Sequence, residues 1–387
     1  MRIAIDGRTL TGRYTGDRTY WLNLIRAMVH QAPNDRFDVY SRAEIPEGDL
    51  PHSHNLTAYI VPAQNDRIWS MKALPNALRV NGADLLHVQY TIPGGCPCPV
   101  VTTIHDISYR LYPNWFPLKD RLILNLSTHV ALRKAAAVIT VSHSSREDMV
   151  RVYGKLADDV FAIPNGVGEE FLQRPPTSEQ RAKSRNLVQA MLDIRTPFIL
   201  SVGVLQPRKN LLMLAESYGK ARSRYNLPHQ LVFAGKMGWD TDQSLLRTAA
   251  ERGSAGSASH LIFPGYVNDD MLRPLYEACD LFVHPALYEG FGLTPLEAMA
   301  RGAATLVSNA PALPEIVGQA ARIEPANDTD AWAKAIGEIL TNTDELNRLR
   351  ALGPAQAAKY TWETAAELTL GVYRNTISRG KIDNYAR

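Results

Sequence analysis

The chain is poor in cysteine, with only Cys96, Cys98 and Cys279 among 387 residues. So sparse and odd a set builds no disulfide framework and suits a reducing compartment. Cys96-Pro-Cys98 has no further cysteine or histidine at zinc-site spacing and reads as a loop. Long apolar runs are also missing: no stretch approaches the roughly 20 residues that span a bilayer. Met-Arg-Ile-Ala-Ile-Asp opens the chain as a strand start with no leader-type apolar segment behind it, so the expected location is the cytoplasm. The net charge of +3 is too small to argue for nucleic acid. Residues 1–190 hold 22 basic and 18 acidic side chains, a mild tilt toward an anionic acceptor or weak peripheral contact with the inner face of a membrane. Neither G-x-x-x-x-G-K-[ST] nor G-x-G-x-x-G occurs. Asp240-Thr-Asp242 and Asp328-Thr-Asp330 do not follow clear apolar strands and read as helix-start acids, so no metal and no cofactor is implied.

What is present is ordinary soluble composition, 45% hydrophobic and 21% charged, over a length that suits two domains. Short β-rich runs alternate with helical patterns throughout, which predicts α/β architecture with doubly wound parallel sheets. The first series of strands runs from residues 2–6 to 160–163, the second from 198–202 to 321–323. Between them residues 169–195 read as a connection plus a helix. The expected domains are 1–170 and 190–361, with a tail helix from about 362. Residues 119–135 form a basic amphipathic helix, and Leu122, Ile123, Leu126 and Val130 are expected to pack on the sheet rather than lie on a membrane.

The densest signal runs from His284 to Gly302. An apolar run, Asp280-Leu-Phe-Val-His284, is ended by Pro285 as a strand entering a loop. Thr294 is placed to N-cap a helix with Pro295 at its first position and Gly302 past its end. Between them, Glu289-Gly290-Phe291-Gly292 puts two glycines where backbone can approach a ligand unobstructed. N–H groups there, at the positive end of a helix dipole, suit phosphate. Glu289 and Glu297 can both face one cleft and grip hydroxyls. Thr294-x-x-Glu297 also matches a capping box, in which Glu297 simply reaches back to the Thr294 N–H.

Gly203 ends a strand and Arg208-Lys209-Asn210 follows it, just before a helix. Cations at a helix N-terminus oppose its dipole at about 0.3–1 kcal/mol each. A pyrophosphate between them removes that conflict; two solvated surface charges are the alternative. Thr103-Ile-His105-Asp106 ends a strand of the first half, with His105 either functional or structural and Asp106 either orienting it or capping a turn.

Glu289 to Glu297, with the intervening Gly-Phe-Gly-Leu-Thr-Pro-Leu and the trailing Ala-Met-Ala-Arg-Gly, resembles the E-x7-E signature of the retaining glycosyltransferases of family 4. The resemblance implies the GT-B fold: two Rossmann-like doubly wound parallel-sheet domains facing across a cleft, the last helix crossing back onto the N-terminal domain. It also implies roles. Glu289 would lie against the donor sugar, and Gly290, Phe291, Gly292 and Leu293 would offer backbone N–H groups to sugar and pyrophosphate. Glu297 would hold the ribose hydroxyls, Arg208 and Lys209 the phosphates, and His105 the transferred sugar. Backbone around Gly203, Tyr266 and Val267 would meet the nucleotide, and Asn165-Gly166-Val167 resembles the family's hinge motif.

One departure concerns the first loop, which in the family often reads Gly-x-Gly-Arg-Tyr. Here Gly16-Asp17-Arg18-Thr19-Tyr20 puts Arg18 in place of the second glycine, so a guanidinium contact to donor or acceptor is expected there. Gly235-Lys236-Met-Gly238-Trp239 resembles a branch with many mannosyltransferases, with Lys236 either reaching phosphate or facing solvent. The implied activity is metal-independent, retaining transfer of a hexose, leaning to mannose from GDP-mannose, onto a glycan, lipid-linked or small-molecule acceptor. A GT-B nucleotide-sugar epimerase and an inactive sugar-nucleotide-binding scaffold are the alternatives.

Overall fold

The computed structural model describes residues 1–12, 16–157, 159–195, 197–238 and 241–385. Residues 13–15 of the first loop, and Trp239 and Asp240 of the motifs above, lie outside them. The chain divides into two units, Met1–Gly166 with Thr361–Arg387, and Val167–Tyr360.

The first unit is built on strands β1 (Arg2–Asp6), β2 (Arg36–Ser41), β3 (Leu56–Ile60), β4 (Leu85–Gln89), β5 (Val100–Thr103), β6 (Ala137–Thr140) and β7 (Val160–Ala162). They pair in the order β3-β2-β1-β4-β5-β6-β7, every pair parallel. Central strands of such sheets are covered on both faces, and so β4 and β5 are buried along their whole length. The helix Gly16–Gln31 buries Trp21, Leu24, Ile25 and Met28 and packs against the last helix, Trp362–Tyr385. Gly166 is where the chain passes that helix: a Cβ there would stand 2.1 Å from the backbone nitrogen of Trp362, so only glycine fits.

The helix Leu118–Lys134 departs from expectation. Leu122, Ile123 and Leu126 do not pack on the sheet but are more than half exposed, with Leu118 beside them. Its inward side carries Thr128 and Ala131, fully buried, with Leu124 and Leu132 packed against the same core cluster.

The second unit contains β8 (Phe198–Val202), β9 (Gln230–Ala234), β10 (Leu261–Gly265), β11 (Leu281–His284), β12 (Ala304–Ser308) and β13 (Arg322–Glu324), parallel in the order β10-β9-β8-β11-β12-β13. The segment expected as a connection belongs to this unit. Its helix, Ser178–Leu192, is tied down by Arg181, which donates to the carbonyls of Glu277 and Gly302, and by Ser184, which donates to the Glu277 carboxylate. Asp242 and Asp328 cap the helices Gln243–Gly253 and Thr329–Thr341, the helix-start role read from sequence. Among the described residues no helix is long and apolar enough to cross a membrane.

Strand order reverses once in each sheet, between β1 and β4 and between β8 and β11. Doubly wound sheets bind ligands beyond the carboxyl ends of the strands at that reversal.

Candidate active site

Beyond the reversal of the second sheet, two loops meet. The one after β8 passes Gly203 at φ 137°, forms a 3-10 turn at Pro207–Lys209, and enters the helix Leu211–Tyr225 through Asn210 in the left-handed region. The one after β11 crosses it, the Leu287 N–H donating to the Arg208 carbonyl at 2.9 Å. This crossing brings together three of the residues singled out from sequence. One Glu289 carboxylate oxygen lies 3.0 Å from Arg208 Nη1, the other 2.6 Å from Lys209 Nζ. Arg208 Nη1 also donates to the Tyr288 carbonyl at 3.0 Å.

The anion that offsets two cations at a helix start is thus the chain's own carboxylate. Burial on its own would raise the Glu289 carboxyl; the Arg208 guanidinium and Lys209 ammonium outweigh it and hold the group well below the usual carboxylate range. Burial, reinforced by Arg208, draws the Lys209 ammonium below its ordinary value despite Glu289.

A fourth member, His284, was not singled out from sequence. Its Nε2 lies 3.0 Å from the Glu289 oxygen that also meets Lys209. Burial and then the Lys209 charge pull its pKa down to about 4, so the ring is neutral at pH 7. A carboxylate only accepts, so Nε2 carries the proton, and Nδ1 faces the Thr294 hydroxyl at 3.4 Å. The signal was its place as last residue of a strand at the sheet reversal, five positions before Glu289.

The capping-box alternative does not hold. The helix is Leu293–Ala300, its N-cap is Gly292, and no side chain caps it. Thr294 is therefore the second helical residue, not the cap, and Pro295 the third. Gly292 reaches this place at φ 118°, with Leu313 Cδ2 2.9 Å from where a Cβ would stand. Glu297 accepts from the buried Tyr276 hydroxyl at 2.8 Å instead of reaching back to Thr294. Gly290 and Phe291 are buried in the loop between.

Gly235, at φ 152°, presses on the loop after β8 so closely that a Cβ would stand 1.8 Å from the Gly203 carbonyl oxygen. After β10, Tyr266 is half exposed and Val267 partly buried; the Lys236 ammonium stands over the Tyr266 ring, 4.6 Å from its centre.

In the first unit, His105 follows β5. Its Nε2 has no hydrogen-bond partner among the described residues and lies 3.6 Å from Asp17 Oδ1. Tyr20 meets the ring edge-on, centroids 4.8 Å apart. Behind it a buried chain runs from the Tyr20 hydroxyl to Thr103 Oγ1 (2.9 Å), on to His87 Nε2 (2.8 Å), and from His87 Nδ1 to the Tyr373 hydroxyl. Burial, with a smaller push from His105, lowers the His87 pKa to about 3 and keeps it neutral. Asp106 does not orient His105: its Oδ1 accepts from the Ser108 N–H and hydroxyl, so it caps a turn.

Gly16 starts the helix Gly16–Gln31 and is exposed. Arg18, expected to contact donor or acceptor, is turned into the protein. It is 2% exposed, donates to the Leu10 carbonyl and pairs with Asp49. Among the described residues no three His, Cys, Asp or Glu side chains are grouped to hold a metal ion.

Two all-parallel doubly wound sheets, with paired cations beyond the reversal of the second, define the GT-B class of transferase fold. Residues 187–356 match the family profile described as Glycosyl transferases group 1, and residues 15–171 that of Glycosyltransferase Family 4. The chain is 33% identical to O-antigen chain mannosyltransferase B of Escherichia coli, over 71% of this chain and 70% of that one. It is 34% identical to serotype-specific mannosyltransferase WbdA of Escherichia coli over 61% of this chain, spanning 28% of that longer protein. Among solved structures, Anabaena HepE (Alr3699) in complex with UDP-glucose superposes with a TM-score of 0.72 at 17% identity, covering 98% of this chain and 100% of that one. The chain belongs to the group 1, family 4 glycosyltransferases.

Proposed function

We propose that this glycosyltransferase moves mannose from GDP-mannose to a glycan acceptor with retention at the anomeric carbon and without a divalent metal. The observation that carries the reading is the Arg208–Lys209–Glu289 cluster beyond the β8–β11 reversal. Two cations against one carboxylate leave the cluster with one net positive charge, which suits a diphosphate. Breaking the anomeric bond builds negative charge on the leaving phosphate, and fixed donors aimed there are the largest single source of rate. Arg208, Lys209 and the uncapped start of the helix Leu293–Ala300 supply them. When the diphosphate takes over the two cations, the Glu289 carboxylate turns to the sugar hydroxyls, and Glu297 holds the ribose. His105 keeps the role the resemblance assigns it at the transferred sugar. The departing phosphate takes the acceptor hydroxyl's proton on the face it leaves, which preserves the configuration.

The mannose and glycan parts of the reading draw on the two mannosyltransferase relatives. The nucleotide-sugar part draws on the UDP-glucose bound to the HepE structure. The test is product analysis by NMR with GDP-mannose, UDP-glucose and UDP-galactose as donors. An α-linked mannosyl product from GDP-mannose alone is expected. An inverted product, or release of a 2-epimer with no acceptor consumed, contradicts the reading.

A further inference from the structure

We propose that Cys96 and Cys98 form a modification site, a thiol pair in the connection between β4 and β5 that a peroxide closes reversibly into a disulfide. The local sequence is Gly94-Gly-Cys-Pro-Cys-Pro99, and its backbone-setting residues bring the two thiols together. Gly95 takes φ 62°, in the left-handed region that favours glycine, and the chain turns at residues 94–95. It bends again at residues 97–98, where the ring of Pro97 fixes φ. The result is a contact of 3.8 Å between Cys96 Sγ and Cys98 Sγ. Both side chains pack at the edge of the core cluster of Trp69, Leu74, Leu78 and Val100, and both stay partly exposed, so a small oxidant reaches them.

The surroundings favour a thiolate at Cys96. The Cys98 thiol donates to the Cys96 sulfur and, against burial, holds it below the ordinary thiol range, with the Arg79 charge adding a smaller pull in the same direction. The same contact and burial hold Cys98 above that range, so a nucleophilic sulfur and a protonated one stand side by side. Arg79 is fixed over the turn: its Nη2 donates to the Gly95 carbonyl at 2.7 Å and its Nη1 to Asn76 Oδ1 at 2.6 Å. Cys279 is the contrast. It is fully buried, and burial pushes its thiol up to about 12, which leaves it inert. A structural zinc site takes a full tetrahedral set of ligands, and among the described residues no group of three His, Cys, Asp or Glu forms around the pair.

With hydrogen peroxide as oxidant the chemistry balances on this pair. The Cys96 thiolate attacks one peroxide oxygen; the S–O bond forms, the O–O bond breaks, and hydroxide leaves to take up a proton as water. The Cys98 sulfur then attacks the Cys96 sulfenic acid; the S–S bond forms, the S–O bond breaks, and the departing hydroxide leaves as water with the Cys98 proton. Two thiols lose two electrons and two protons, and the peroxide is reduced to two waters. Because Cys98 is already in contact, it captures the sulfenic acid before a second peroxide oxidises it further. Closure shortens the sulfur separation from 3.8 Å to about 2.0 Å. In a reducing compartment such a bond is transient, reopened by thiol exchange. The pair precedes the amino end of β5 and His105 follows its carboxyl end, so the site is read out apart from sugar transfer.

The experiment treats the full chain near pH 7 with a small excess of hydrogen peroxide, blocks the remaining thiols with N-ethylmaleimide, and maps tryptic peptides by mass. The peptide of residues 80–110 is expected to lose two hydrogens, about 2 Da, and to take no alkyl group, both thiols returning with dithiothreitol. Cys279 should stay reduced. The pair should react about fivefold faster than in the urea-unfolded chain. Cys98→Ser should stop at a Cys96 sulfenic acid that dimedone captures, and Arg79→Gln should slow oxidation several-fold at an unchanged melting temperature. Sulfinic or sulfonic acid at Cys96 of the parent in place of the disulfide, a disulfide joining two chains, or a pair that reacts no faster than in the unfolded chain would each overturn the proposal.

Discussion

The two sheet reversals occupy equivalent places in the two units and are filled differently. Beyond β8 and β11 stand charges: Arg208 and Lys209 around a buried Glu289, with a neutral His284 behind it. Around β4 and β5 a buried chain of uncharged groups, Tyr373, His87, Thr103 and Tyr20, ends edge-on at His105, while the charges at this reversal, Asp6 with Arg8 at the end of β1 and Asp17 by His105, lie beside it. One topology therefore carries two different arrangements of side chains. Cations held by a replaceable internal anion are suited to receive a phosphate. A neutral hydrogen-bonded chain puts the Tyr20 ring edge-on against one imidazole.

The largest effects should fall on the charged side. Lys209→Ala is expected to lower kcat by about 10²- to 10³-fold, as loss of one preorganised donor does. Glu289→Gln should cost about 3 kcal/mol of stability, because two buried cations lose their partner. Urea unfolding and steady-state kinetics of the two variants check both numbers. An equally large kinetic loss in Tyr373→Phe would erase the distinction between the two reversals.

Acid should sharpen it next. His284 has a folded-state pKa of about 4, below the unfolded value of about 6.5. A depressed folded value means stability that is present above the unfolded pKa and lost as pH falls toward the folded one. The second unit should therefore lose on the order of 3 kcal/mol between about pH 6.5 and 4. Glu289, also depressed, adds a further loss below the usual carboxylate range. His87, lowered to about 3, gives the first unit a loss in the same direction extending to lower pH. Urea midpoints against pH for the parent, His284→Gln and His87→Gln separate them; a flat profile for the parent contradicts the buried neutral rings.

Smaller effects belong to the neutral side. Tyr373→Phe leaves His87 Nδ1 without its partner and should cost about 1–2 kcal/mol with a change in kcat below about fivefold. The smallest expected effect is that of chelation. EDTA should leave initial rates unchanged, and a loss restored by Mg²⁺ or Mn²⁺ would show that Arg208 and Lys209 do not suffice at the phosphate.

The strands were legible in the sequence because parallel strands covered on both faces are written as unbroken β-branched and leucine runs bounded by turn residues. Both sheets follow from such runs, within a residue or two at their ends. At the site, residue identities were legible and partners were not. Arg208, Lys209 and Glu289 stood out, yet that they bind one another depends on two loops 80 residues apart crossing, which no local pattern encodes. Arg18 looked like a ligand contact because the loop pattern places it, but Asp49 draws it inward. Thr294 followed the rule for a cap, and Gly292 took that place because its backbone conformation and the contact with Leu313 favour glycine. In the helix Leu118–Lys134 apolar residues lie on two sides, and their spacing does not encode which side meets the core.

The central claim is that Arg208 and Lys209 hold the donor's diphosphate and that Glu289 is the anion it displaces. Calorimetric titration of GDP into the parent, Lys209→Ala and Glu289→Gln tests it most directly. The account predicts weaker binding in Lys209→Ala by at least about tenfold and equal or tighter binding in Glu289→Gln, whose turnover nevertheless falls. Unchanged affinity in Lys209→Ala, or parallel loss of affinity and turnover in Glu289→Gln, would contradict it.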